Sequence, residues 1–262
     1  MSLSEKIFSA NIKWYYMRFI PVKTRPIMPP KDNIYPVLDK YLPSLNEGDI
    51  VIITSKILGI HQGRCVKINK DTRDEKDALV MKEADYYIPR KYVPHEYSLT
   101  IKDNTLVAAA GIDRSNGNGY YILWPKNTNK LLQEMCGYLK KKYCLKKLAL
   151  IAIDSHSLPL RHGTTGVAMG FFGLKPLKDY RGAPDIFGRK LKVSRANIVD
   201  SLASISNLLM GESNETTPLL IIRGARFIEF SDVQTYRQLI MNNKQDFFYP
   251  LLKTFHKGKR KN

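Results

Sequence analysis

Three runs of this 262-residue chain are apolar at every position: Ile50–Ile53, Leu148–Ile153 and Leu219–Ile222. A strand with one wet face alternates in polarity, because successive side chains point to opposite sides. Continuous, largely β-branched runs therefore predict strands buried in a sheet rather than half-exposed ones. IVIITSKI (50–57) reads as one such strand, LALIAI as a second and LLIIR as a third.

The segments between them read as a mixture of helices and hairpins. IYPVLDKYLPSL predicts a short helix, closed by the turn Asn46-Glu47-Gly48-Asp49. RCVKI is a plausible strand, and 69–84 is charged and helical or looped. SLTIKDNTLVAAAGI offers two strands about a Lys-Asp-Asn turn. YYILWP reads as a strand stopped by Pro125, and Asn129 as the cap of the helix KLLQEMCGYLKKKY. A further helix is expected from Asn197 to Met210, ended by Gly211, and the rest is weakly helical. This mixture predicts an α+β fold rather than a regular doubly wound sheet.

The length suits one large domain or two small ones sharing a core. Hydrophobic residues make up 44% and charged residues 25%, an ordinary globular balance. No apolar run approaches the ~20 residues needed to span a bilayer. The N-terminus lacks the apolar core and cleavage site of a secretory signal, so a cytoplasmic protein with no membrane partner is expected. Cys65, Cys136 and Cys144 form no CxxC pair, which argues against a disulfide framework. With 42 Lys+Arg against 24 Asp+Glu, the net charge of +18 favours anionic partners. Part of that charge, in HKGKRKN and around Lys140–Lys142, reads as solvated surface.

Two apolar segments lead into an aspartate: LVAAAGI into Asp113 and LALIAI into Asp154, which Ser155 follows. A carboxylate at the end of a buried strand is held rigidly, as a hard cation such as Mg²⁺ or Mn²⁺ requires. Either residue alone could equally open a turn. The loop Gly211-Glu212-Ser213-Asn214 adds a carboxylate after a glycine that admits close approach. No Walker A loop or GxGxxG-helix signature is present. The histidines form no HExxH pattern, and no GxSxG or Cys/His arrangement points to a covalent nucleophile. His156 is singled out only for its nearness to Asp154.

AGIDRSN, IAIDS, GLKPLKDYRGAPDIFGRKLKV and LLMGESNETTPLLIIRG follow one another in an order and spacing that resemble the coenzyme F420-0:L-glutamate ligase (γ-glutamyl ligase) family. IPVKTRPIMPP and EGDIVIITSKI resemble its first strands. The likeness extends from about Phe19 to Gly224, which frames 19–230 as the ligase-like domain. Residues 1–18 would then be an N-terminal extension and 231–262 a helical segment with a basic tail. The resemblance implies two interleaved subdomains in an intertwined homodimer. It also implies GTP as co-substrate, two divalent cations (Mg²⁺ or Mn²⁺), and an acyl phosphate on the way to a glutamyl amide. By that likeness Asp113 and Asp154 share one metal, while Ser155 and Glu212 reach the second. Pro26, Ile27, Met28, Pro29, Ser55, Lys56, Asn116 and the loop Gly211, Glu212, Ser213, Asn214 would hold the nucleotide. Lys56, Arg114 and Arg161 are candidates for phosphate or carboxylate contacts, with Arg161 counted among the catalytic set.

The sequence departs from the family pattern around this framework. The Gly-Arg pair usual after the second aspartate is missing from Asp154-Ser155-His156-Ser157-Leu158-Pro159-Leu160-Arg161. Ile60 stands where a lysine is usual, and Val199-Asp200-Ser201 replaces an Ala-Asp-Glu. The middle segment is shorter, with its own Lys82-Glu83-Ala84-Asp85. These departures leave open GTP or ATP, and F420-0 or a folate-like acceptor. A non-catalytic nucleic-acid-binding protein on the same scaffold is the alternative from another class, carried by the positive charge.

Overall fold

The computed structural model describes residues 17–260, so the 1–18 extension lies outside it except for Met17 and Arg18. Six strands form the central sheet: β1 (Arg18–Val22), β2 (Asp49–Thr54), β3 (Leu148–Ser157), β4 (Thr164–Leu174), β5 (Leu219–Arg223) and β6 (Phe230–Ser231). Across the sheet they run β1, β5, β2, β3, β4, β6. Only β2 and β3 are parallel, and every other neighbouring pair is antiparallel.

The three apolar runs are the central strands β2, β3 and β5, and helices cover them on both faces. Val51, Ile53, Leu150 and Ala152 pack with Leu38 of α1 (Ile34–Tyr41) and, further along the chain, with Leu132 and Met135 of the helix Thr128–Tyr143. Ile50, Ile52, Ala149 and Ile151 point the other way, onto Val199, Leu202 and Ala203 of the helix Ile198–Met210. Alternate residues thus serve opposite cores, which is why no polar position interrupts the runs.

A smaller layer is built from the chain between β2 and β3 together with one strand from the C-terminal region. It holds α2 (Ser55–His61), α3 (Arg73–Glu83) and a four-stranded sheet. The order in that sheet is His256–Lys257, Tyr86–Ile88, Leu99–Lys102, Thr105–Ala108. The helix Thr128–Tyr143 is α4 and Ile198–Met210 is α5. The mixed α+β class expected from the sequence is what the chain adopts. Among the described residues no helix is long and apolar enough to cross a membrane.

Several local expectations need correction. IVIITSKI is not one strand: β2 stops at Thr54 and α2 begins at Ser55, where Ile57, Leu58 and Ile60 are buried at helical rather than alternating spacing. LVAAAGI is not a strand up to Asp113. It stops at Ala108, and a tight turn with left-handed Ala109, Ala110 and Gly111 follows. Asp113 is then positioned by an isolated bridge to Ile122. Asp154 does not end its strand, since β3 continues to Ser157 with a register irregularity against β4 between Ala152 and Ile153. Asn127, not Asn129, precedes α4. The Asn129 side chain accepts the Phe171 N–H instead, at 2.9 Å. β4, eleven residues long, has no clear strand signal in the sequence because Gly166, Gly170 and Gly173 break its apolar pattern. The C-terminal region is mostly 3₁₀ turns with one helical turn at Tyr249–Leu252, and His256–Lys257 returns to pair with Tyr86–Ile88.

One buried ion pair anchors the sheet. Asp49, at the start of β2, is 0% exposed and receives Nε of Arg223, at the end of β5, at 2.9 Å. It also receives Nη2 of Arg223 at 2.7 Å and the Asn46 N–H at 2.8 Å.

Candidate functional site

The parallel pairing of β2 with β3 sets Thr54 opposite Ile153, so the next residues, Ser55 and Asp154, stand side by side. The Ser55 hydroxyl lies near enough to the Asp154 carboxylate to favour its ionised form. Above them opens a cleft of about 620 Å³. Three chain segments close it: 24–29 after β1, 113–118 from the small layer, and 210–218 between α5 and β5. Pro26, Ile27, Met28, Pro29, Ser55, Lys56, Asp113, Asn116, Asp154, Ser155, Gly211, Glu212, Ser213 and Asn214 all line it. Arg161 does not; it lies in the exposed turn after β3, where its N–H donates to Leu158 O at 3.3 Å. Arg114 is also turned away, paired with Asp71 at 2.8 Å.

The segments are tied to one another. The Thr24 N–H donates to Thr216 O at 2.9 Å, and Asn116 Nδ2 donates to Ser213 O at 2.9 Å. Asp32 holds the 25–32 loop, accepting from Arg25 Nη2 at 2.9 Å and from the Met28 N–H at 3.0 Å. Gly211 has φ +82, and a Cβ there would lie 2.3 Å from the Glu215 carboxyl carbon. That carboxylate accepts the Ser213 N–H at 2.8 Å, so glycine is what lets the loop turn tightly and stay bonded.

The two aspartates have different surroundings. Asp113 accepts from the Ser115 N–H and from Ser115 Oγ, both at 2.8 Å, and Lys56 Nζ lies 2.6 Å away. Lys56 also donates to Ser115 O at 3.0 Å. Burial pushes the Asp113 carboxyl up, but the Lys56 ammonium and the Ser115 donors outweigh it and hold it below the ordinary range. Asp154 is pushed up to about 6, chiefly by burial and further by the charge of Asp113. Hydrogen bonds from Trp124 Nε1 and the Ser155 N–H, with the nearby Ser55 hydroxyl, oppose that rise. Glu212 is exposed and accepts from Thr164 Oγ1 at 2.9 Å and Asn207 Nδ2 at 2.7 Å.

The donors suit a hard divalent cation. Asp113, Asp154, Ser55 and Ser155 offer only oxygen, and the two carboxylates repel one another in a way such a cation would relieve. Among the described residues no three His, Cys, Asp or Glu side chains converge into a complete cage. Water or phosphate oxygens would have to complete the coordination, which is the habit of Mg²⁺.

His156 lies outside the cleft. Half-buried, with its pKa lowered by burial, it lines an adjoining groove of about 820 Å³. That groove shares Asn207, Gly211 and Glu212 with the first. Ser115 was open to discovery from the Asp-x-Ser spacing, which marks an Asx turn. Trp124, Thr164 and Asn207 gave no local signal.

The chain is similar to known proteins over most of its length. The family described as F420-0:Gamma-glutamyl ligase matches residues 22–224. The coenzyme F420:L-glutamate ligase of Methanosarcina barkeri is 31% identical over 218 residues, 78% of this chain and 84% of that protein. Its counterpart in Methanocaldococcus jannaschii is 30% identical over 218 residues, 78% of this chain and 86% of that one. That of Methanopyrus kandleri is 26% identical over 249 residues, covering 88% and 97%.

Proposed function

The chain belongs to the F420-0:γ-glutamyl ligase family, and from that premise we propose that it joins the amine of L-glutamate to the carboxylate of F420-0, using GTP and divalent metal. The observation that carries this reading is the convergence of Asp113 and Asp154 in one cleft with the 24–29 and 210–218 loops.

A carboxylate does not condense with an amine at neutral pH until one of its oxygens becomes a leaving group. Transfer of the γ-phosphoryl group to the acceptor gives an acyl phosphate and GDP. Attack by the glutamate amine then forms the amide, releasing phosphate and a proton. Asp113, Asp154 and Ser155, with Glu212 at the far side, would hold Mg²⁺ or Mn²⁺, which neutralises charge developing on phosphate oxygens. Lys56 brings a cation to the cleft floor that can pass from Asp113 to a phosphate. Asn116 and the 211–214 loop, already bonded together, form a wall against which a nucleotide can lie. The adjoining groove past Glu212 gives room for glutamate and acceptor. Nothing among the described residues favours the nucleic-acid reading; two lysines of the basic run, Lys140 and Lys142, are paired with Asp232 and Asp39.

Incubation with GTP, Mg²⁺ or Mn²⁺, L-glutamate and either F420-0 or a folate should convert F420-0 to its glutamyl amide with equal release of GDP, read by mass spectrometry. Glutamylation of the folate alone would move the acceptor assignment. No glutamyl product and no GDP with either acceptor would sink the ligase reading.

The same reading includes a cytoplasmic homodimer. Large apolar side chains stand in the open on the 180–195 segment, with Ile186 91% and Phe187 89% exposed. Leu208 on α5 is 76% exposed. Exposed apolar surface of this kind marks contact sites, and a second copy of the chain is the occupant the family resemblance supplies. Light scattering at micromolar concentration should give twice the 30.1 kDa chain mass; a strict monomer there would count against the intertwined architecture.

A further inference from the structure

The indole of Trp124 donates a hydrogen bond from Nε1 to Asp154 Oδ2, across thirty residues of sequence. The side chain is 2% exposed, and a buried N–H without an acceptor is destabilising, so the indole must find one. A backbone carbonyl would serve equally well for packing alone. Here the acceptor is a cleft carboxylate.

Three neighbours fix the ring. Gly111, at φ +66, lies so close that a Cβ would stand 2.0 Å from the indole. Lys102 Nζ sits over the ring face, 5.7 Å from its centroid. Arg64 Nε donates to the Trp124 carbonyl at 3.0 Å. Both cations in turn are held by one carboxylate, with Lys102 Nζ and Arg64 Nη2 each 2.6 Å from Glu83 Oε2. Lys102 is only 1% exposed. A buried Arg64–Glu83–Lys102 cluster therefore grips the indole from backbone and face, and the indole grips Asp154.

The Asp154 carboxylate has about four acceptor positions. Trp124 takes one on Oδ2, and the Ser155 N–H takes one on Oδ1 at 2.9 Å. Those two bonds set the plane of the carboxylate and limit which lone pairs remain for the cleft. We infer that Trp124 is a positioning residue, orienting Asp154 for a divalent cation in the cleft, with the Arg64–Glu83–Lys102 cluster as its support. This inference rests on the metal-dependent reading above. Partners that orient a metal ligand typically change metal affinity 10- to 100-fold when lost.

The test is Mn²⁺ binding by the whole protein, followed by EPR of the free ion, with thermal unfolding of the metal-free protein measured alongside. Trp124→Phe keeps an aromatic ring and removes the N–H. It should weaken Mn²⁺ binding by about 10-fold or more, and the unfolding temperature of the metal-free protein should shift far less than the affinity does. If that variant does not fold, benzothienylalanine at position 124 keeps the bicyclic shape and removes only the N–H, and the same loss is expected. Wild-type affinity in whichever of these variants folds would overturn the positioning role while leaving the metal site standing. A wild-type protein that takes up no Mn²⁺ would instead overturn the metal reading, and this inference with it.

Discussion

Asp154→Asn is expected to lower the rate of glutamate addition by at least about 1,000-fold, the loss of roughly 4 kcal/mol of charge stabilisation in the transition state. The fold should survive. In the metal-free protein the Asp154 carboxyl is pushed up to about 6, above its unfolded value. Its neutral form is therefore favoured by folding, and ionisation above that pH works against the fold. A neutral isostere relieves that penalty, but its amide nitrogen cannot accept from Trp124 Nε1 or the Ser155 N–H, so the two effects offset and Asp154→Asn should melt within about 5 °C of the parent near pH 7.5. Steady-state kinetics and a thermal melt on one preparation check both halves. Full activity would remove Asp154 from the mechanism, and a collapse in melting temperature would make it a structural residue.

The second large effect belongs to the sheet. Arg223→Ala leaves Asp49, which is 0% exposed, without its bidentate partner. Stranding a buried charge in this way costs about 3–5 kcal/mol, against a total stability of roughly 5–15 kcal/mol for a domain. A urea titration should show the midpoint falling steeply. The double variant Asp49→Leu with Arg223→Met should recover most of the loss, because removing both charges removes the desolvation penalty as well. A loss below about 1 kcal/mol in the single variant would mean that water reaches Asp49.

Much of the site was legible along the chain. Asp113, Asp154, Ser155 and the Gly211–Asn214 loop stand in short motifs whose residue types suit phosphate and metal chemistry, and every one of them lines the cleft. Arg161, expected in the site from the resemblance and from the grip of a guanidinium on anions, lies outside the cleft, since an arginine in a motif says nothing about which way its turn faces. The strands misjudged at Ser55 and at Ala109–Gly111 share a cause. An apolar run looks the same whether it continues as a strand, enters a buried helix or folds into a left-handed turn. Only the neighbours it packs against decide.

By itself the sequence determined the three strands buried on both faces, the capped helix from 198 to 210, and the kinds of side chain available for chemistry. These follow from periodicity and turn preferences acting over a few residues. The tertiary structure alone decided which of those side chains meet. The parallel register of β2 on β3 sets Ser55 beside Asp154, Lys56 reaches Ser115 across 59 residues, and Asn116 reaches Ser213 across 97. Trp124, with no local signal, proved to be bonded to the central aspartate. Contacts at such separations depend on the closure of the whole sheet, which no short window of sequence contains.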